Sequence, residues 1–164
     1  MATGFVYTAS FASAPVINVP QSLWEILPPA GTTVLLRSLR IAFVPNIISG
    51  VPQDVRAQIS IRMIIPFPPG SGGISTTPVA VDARNTVTPA TTINRLVTTP
   101  SGTGSVLSSE IVSILAPYEP IRDADFGRGV GPLTIRSPGL AVSLDAGLGG
   151  TFIASSDMTF EELL

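Results

Sequence analysis

The run Ala57-Gln58-Ile59-Ser60-Ile61-Arg62-Met63-Ile64-Ile65 places Ala57, Ile59, Ile61, Met63 and Ile65 on one parity and Gln58, Ser60 and Arg62 on the other. Successive side chains of an extended chain point to opposite faces, so this pattern predicts a half-buried strand. The same period recurs along the chain. Near the C-terminus Phe152, Ala154, Ser156, Met158 and Phe160 alternate with Ser155, Asp157, Thr159 and Glu161. Leu140, Val142 and Leu144 alternate with Ala141, Ser143 and Asp145, and Phe5, Tyr7, Ala9 and Phe11 with Thr8 and Ser10. Residues 34–44 are apolar on both parities except at Arg37 and Arg40, which predicts a central strand. Residues 22–27 and 106–115, rich in Val, Ile, Leu and Ser, predict two more.

Turn formers separate these runs: Pro28-Pro29-Ala30-Gly31, Pro45-Asn46, residues 66–73, 100–104 and 127–132, Ser137-Pro138-Gly139 and residues 147–150. Helical periodicity is nearly absent. Seven to nine strands divided by frequent Pro/Gly-rich turns predict an all-β antiparallel sandwich or jelly roll. A chain of 164 residues is the size of one domain, spanning 1–164.

Composition excludes several chemistries. The chain has no Cys, no His and no Lys, and all nine basic residues are Arg. There is therefore no thiolate or imidazole metal site, no disulfide, no Ser-His-Asp or Cys-His nucleophile, no lysine Schiff base and no P-loop lysine. A net charge of −2, with the Arg residues dispersed, leaves no footprint for nucleic acid. The N-terminus has no basic region followed by an apolar run, and the uncharged stretch 63–81 is interrupted by Pro and Gly, so no signal peptide and no membrane-spanning helix are expected. Hydrophobic residues nonetheless make up 45%. That apolar excess must be buried in a core or against partners.

Carboxylates, hydroxyls and Arg remain for function. Glu25, Asp54, Glu110 and the pair Glu161-Glu162 are candidates for paired-carboxylate hydrolysis by residue type alone, and sugar subsites usually also need aromatic platforms. Aromatic residues are only 6%, and Trp24 reads as core, so no residue is assigned a catalytic role and the chain is not read as an enzyme. Glu119, Asp123 and Asp125, followed by Gly127, match part of a calcium loop but lack its third alternating ligand and its closing Glu. The charge-rich segment 118–131 therefore reads first as a solvated acidic loop. No cofactor is expected. Residues 66–104 read as an extended loop or interface region, opening with Pro66, Phe67, Pro68 and Pro69. Arg37, Arg40 and Arg62, set in apolar strands, are interface candidates because Arg anchors interfaces and pairs bidentately with carboxylates.

The order of features carries a resemblance. An opening strand is followed by Leu23-Trp24-Glu25-Ile26-Leu27-Pro28 and a Gly turn, then by Leu36-Arg37-Ser38-Leu39-Arg40-Ile41. Ile59-Ser60-Ile61-Arg62-Met63-Ile64 leads into Gly70-Ser71-Gly72-Gly73-Ile74-Ser75-Thr76-Thr77-Pro78. The chain closes on Pro138-Gly139-Leu140-Ala141-Val142-Ser143-Leu144 and Met158-Thr159-Phe160-Glu161-Glu162. This succession resembles the head-decoration (cement) and auxiliary virion proteins of tailed bacteriophages with jelly-roll folds. The resemblance implies a virion location on the capsid surface, partnership with the major capsid protein and with copies of itself, a trimer favoured, and binding rather than chemistry. Two further expectations stand beside it: a receptor- or carbohydrate-binding sandwich module of a tail fibre or lectin, and a main coat subunit.

Overall fold

The computed structural model describes residues 4–16, 20–45, 56–63, 68–100, 104–122, 132–145 and 152–163. Among them every regular element is a strand, and all pairing is antiparallel. In chain order the strands are β1 (Gly4–Val16), β2 (Gln21–Leu27), β3 (Thr33–Pro45), β4 (Arg56–Met63), β5 (Ile74–Thr76), β6 (Val79–Ala80), β7 (Thr92–Val97), β8 (Val106–Ser113), β9 (Tyr118–Ile121), β10 (Leu133–Arg136), β11 (Leu140–Leu144) and β12 (Phe152–Leu163).

Two six-stranded sheets face each other. The first runs β10-β3-β12-β1-β6, with β9 also on β3; the second runs β5-β7-β2-β11-β4-β8. Pairing is nested: β1 with β12, β2 with β11, β3 with β10, β4 with β8. Successive pairs fall in alternate sheets, so the chain is one long folded-back hairpin wrapped around a core. That wrap is the jelly roll, and it confirms the all-β sandwich.

The sequence count of seven to nine strands is too low, since twelve are present among the described residues. Four short strands account for most of the difference. β5, β6 and β7 lie inside 66–104, which is therefore not one extended loop, and β9 occupies the start of 118–131. β7 was legible in the β-branched run around Thr92, Ile93 and Val97, but the loop signals on either side masked it. β9 is four residues long with a central Pro120, too short to show a period.

The period-two segments form strands, but two are more buried than their pattern predicts: Ser60 on β4 lies under Arg62 and Asp145, and β11, between β2 and β4, is buried on both faces. β12 alternates along its whole length, with Phe152, Ala154, Ser156, Met158, Phe160 and Glu162 buried. β3 is central, lying between β12 and the β9/β10 pair. Its two-faced apolar pattern has a specific cause. Thr159 pairs with Ser38 but Phe160 with Leu36, leaving Arg37 as an extra residue. This bulge shifts the buried parity from Val34 and Leu36 to Leu39, Ile41 and Phe43.

The core joins both sheets. Phe11 of the first sheet packs on Trp24 of the second with ring centroids 5.0 Å apart, and Tyr7 packs on Phe160 at 5.6 Å. Buried indoles need a partner for their N–H. Trp24, fully buried, donates from Nε1 to Ser156 Oγ at 2.8 Å, and Ser156 Oγ donates in turn to the Arg40 carbonyl at 2.6 Å. At the entry to β11, Gly139 has φ +139°, and a Cβ there would lie 2.3 Å from the Ile26 carbonyl, so only glycine fits.

Trp24→Phe keeps most of the buried ring but deletes the inter-sheet donor. Its expected cost is about 1–3 kcal/mol, read as a lower urea midpoint at unchanged slope.

Candidate functional site

The three arginines singled out from the sequence do not converge. Arg37 and Arg40 lie on the outer face of the first sheet, whereas Arg62 lies on the outer face of the second. Arg37 approaches Glu161 at 4.0 Å and borders a groove of about 870 Å³ with Asp82 and Arg84. Arg40 pairs with Glu119 at 3.5 Å, and Glu119 also accepts from Arg122 at 3.2 Å. Arg62 is committed within its own sheet, donating to Asp145 at 2.8 Å and to Ser60 at 2.7 Å. Pro68 and Pro69 are exposed; Pro66 and Phe67 lie outside the described residues.

Of the calcium candidates, Glu119 sits on β9 with both carboxylate oxygens engaged by Arg40 and Arg122. Asp123 and Asp125 lie outside the described residues. Among the described residues no group of three or more acidic side chains is placed to hold a metal ion.

Two carboxylates considered for hydrolysis serve as loop clamps. Glu162, fully buried on β12, accepts from the Ala90 N–H at 3.0 Å, the Thr91 N–H at 2.8 Å and the Thr91 hydroxyl at 2.5 Å. Glu25, fully buried on β2, accepts from the Gly70 N–H with both oxygens, at 3.2 and 3.1 Å. A buried carboxylate must have its oxygens hydrogen-bonded, and these donors supply that. Each acid ties a different chain segment to a different sheet, so they do not flank a common cleft. Sequence reasoning could place the residues but not their role, because the donors are backbone groups about 70 and 45 positions away.

The described aromatic residues offer no open platform either. Among the described residues Tyr7, Phe11, Trp24, Phe43, Phe152 and Phe160 are buried, and Phe5 and Tyr118 are partly covered by the core. Arg95 lies over the Phe11 ring at 5.9 Å, so even that face is taken.

What the surface does offer is apolar and lies on the two flanks of the sandwich. On one flank the edge strand β8 and the following turn expose Val106, Leu107, Ile111 and Leu115, with Ile111 68% and Leu115 56% accessible. On the other flank, around β5 and β6, Ile74, Val79 and Val81 are exposed. Glu110 on β8 lies close to the Tyr118 phenol of β9 in the first sheet. Burial, and after it the neighbouring Glu110 charge, pushes the Tyr118 phenol up from about 10 to about 12. Such a flank can bind another protein.

Glu162→Gln replaces one acceptor oxygen by an NH₂ that faces a backbone N–H. It is expected to cost about 2 kcal/mol and to speed hydrogen exchange at the Thr91 amide. Raising the pH tests the β8–β9 link. The unfolded phenol loses its proton near 10 and the folded one near 12, so across that window the native state binds more protons and stability falls as pH rises. Absorbance titration at alkaline pH should show a Tyr ionising near 12, with its midpoint lowered in Glu110→Gln.

Set against protein-family models, curated proteins and solved structures, the chain matches none, so its reading rests on its own residues.

Proposed function

We propose that this chain is a structural protein of a virus particle: a capsid decoration protein that binds its own copies and the major capsid protein and stabilises the shell. The observation that carries the reading is the apolar flank on β8, where Val106, Leu107, Ile111 and Leu115 are exposed along one edge of the sandwich. Contiguous exposed apolar surface on such a fold marks a protein–protein contact, and natural sheets keep long apolar edges covered. The jelly-roll wrap and the clamped loops support the same role.

Mechanistically, each contact buries apolar side chains against a neighbour, and repetition over a lattice converts modest single-site affinity into firm attachment. Arg37 and Arg40, on the outer face of the first sheet, are placed to act at the rim of such a contact, where charge sets orientation more than affinity. Arg62 is held by Asp145 and contributes to the fold.

Purified protein should bind saturably to particles that lack it and raise their heat or chelator resistance. The double variant Leu107→Asp/Ile111→Asp should stay folded, because both side chains are exposed, yet lose binding at least tenfold. Wild-type protein that leaves such particles unbound would sink the decoration role.

A further inference from the structure

We propose that β8 pairs antiparallel with β8 of a second copy, across a two-fold axis beside Ser109. The assembly reading supplies the premise of self-association; the mode comes from the strand.

β8 ends the second sheet. β4 lies on one side of it, and no described strand lies on the other. A bare edge of eight residues presents a row of backbone donors and acceptors to any extended chain. The centre of that edge, Leu107-Ser108-Ser109-Glu110-Ile111, has an apolar residue at each end and a hydrogen-bonding side chain on either side of Ser109. Leu107 corresponds to Ile111, and Ser108 is the hydroxyl partner of the Glu110 carboxylate.

A two-fold axis normal to the sheet keeps every residue on its own face, so paired positions must differ by an even number. Three registers then compete. An axis beside Glu110 sets the two Glu110 carboxylates directly opposite each other, which is repulsive. An axis beside Ile111 sets Glu110 against Val112 and leaves the carboxylate facing an apolar group. The axis beside Ser109 pairs Ile111 of one copy with Leu107 of the other, twice, while Val106, turned to the outer face by the bulge, falls outside the paired run. It also sets each Glu110 opposite a Ser108 hydroxyl, a pairing of groups that already lie 3.5 Å apart within one chain.

The bulge in the β4–β8 ladder falls at Leu107, since Ile61 pairs with Ser108 and Arg62 with Val106. Leu107 is about half exposed there, which leaves its side chain free to meet Ile111 at each end of the contact. Pairing would join two six-stranded sheets into one of twelve and cover the bare edge of both copies. The even stoichiometry departs from the trimer that the phage resemblance implies.

The chain contains no Cys, so a single Ser109→Cys reports on one position only. Directly opposed residues in an antiparallel pair have Cα atoms about 4.5–5.5 Å apart, within disulfide reach. Under mild oxidation Ser109→Cys should form a covalent dimer at least tenfold faster than Gln58→Cys, an exposed control one strand inward. Wild-type protein should have twice the chain mass in solution, and Ile111→Lys should return it to a monomer with an unchanged circular dichroism spectrum. A wild-type monomer, or equal cross-linking at the two cysteines, overturns the pairing. An oligomer that does not cross-link at 109 overturns it while sparing self-assembly, as does a β8 that cross-links to a capsid protein strand instead. A dimer that cross-links but ignores particles supports the pairing and removes only the decoration role.

Discussion

The hydrogen bond from Trp24 to Ser156, continued to the Arg40 carbonyl, passes through the apolar core and ties the two sheets together. Apolar contact alone is nondirectional and would tolerate sliding of one sheet over the other. A buried indole N–H does not, because leaving it unpaired costs about 1–3 kcal/mol. With that bond fixed, β2 sits over β1 and β12, Phe11 meets the Trp24 ring, and the nested pairs have one way to wrap. The flanks are a consequence of this stacking. Strands at the ends of the two sheets, β8 beside β9 and β5 beside β6, cannot reach the core with both faces, and their apolar side chains remain outside.

The long strands were legible because burial on one face leaves a period of two in the residues themselves. β12 shows it in full, whereas β4 and β11 keep the alternation of residue types but bury Ser60, Ala141 and Ser143 as well. β3 shows why the pattern can mislead: a bulge at Arg37 changes the buried parity in mid-strand, and the two phases superimposed look like a strand apolar on both faces. β5, β6 and β9 were not legible, because two to four residues carry no measurable period. They are placed by neighbours already in the sheet. Pairing order was beyond local pattern altogether, since β1 and β12 meet across nearly the entire chain.

Site residues divide along the same line. The sequence could say that Arg37, Arg40 and Arg62 stand among apolar neighbours, but the face each occupies depends on a bulge or a register. The clamps at Glu25 and Glu162 depend on backbone donors, which have no letter in a sequence. The edge at β8 was legible as a strand and hidden as a surface. Leu107 and Ile111 look like core residues until the topology leaves β8 with no outer neighbour among the described strands. The absence of Lys, His and Cys is compatible with that surface: Arg keeps its charge at any ordinary pH, and none of the missing groups is needed for apolar or backbone pairing.

The placement of β12 between β3 and β1 bears on time as well as shape. During synthesis β1 and β3 emerge early, yet neither has its central neighbour until the last described strand is complete. The middle of the first sheet therefore stays open while the second sheet's β2, β4 and β8 are already available. Folding must close a loop of nearly the whole chain before that gap is filled, a slow step for any all-β topology. Until then the unfilled slot and the bare edge of β8 compete for the same kind of partner, an extended apolar strand. Production at high concentration thus favours cross-pairing between unfinished chains, and slower synthesis favours the finished roll.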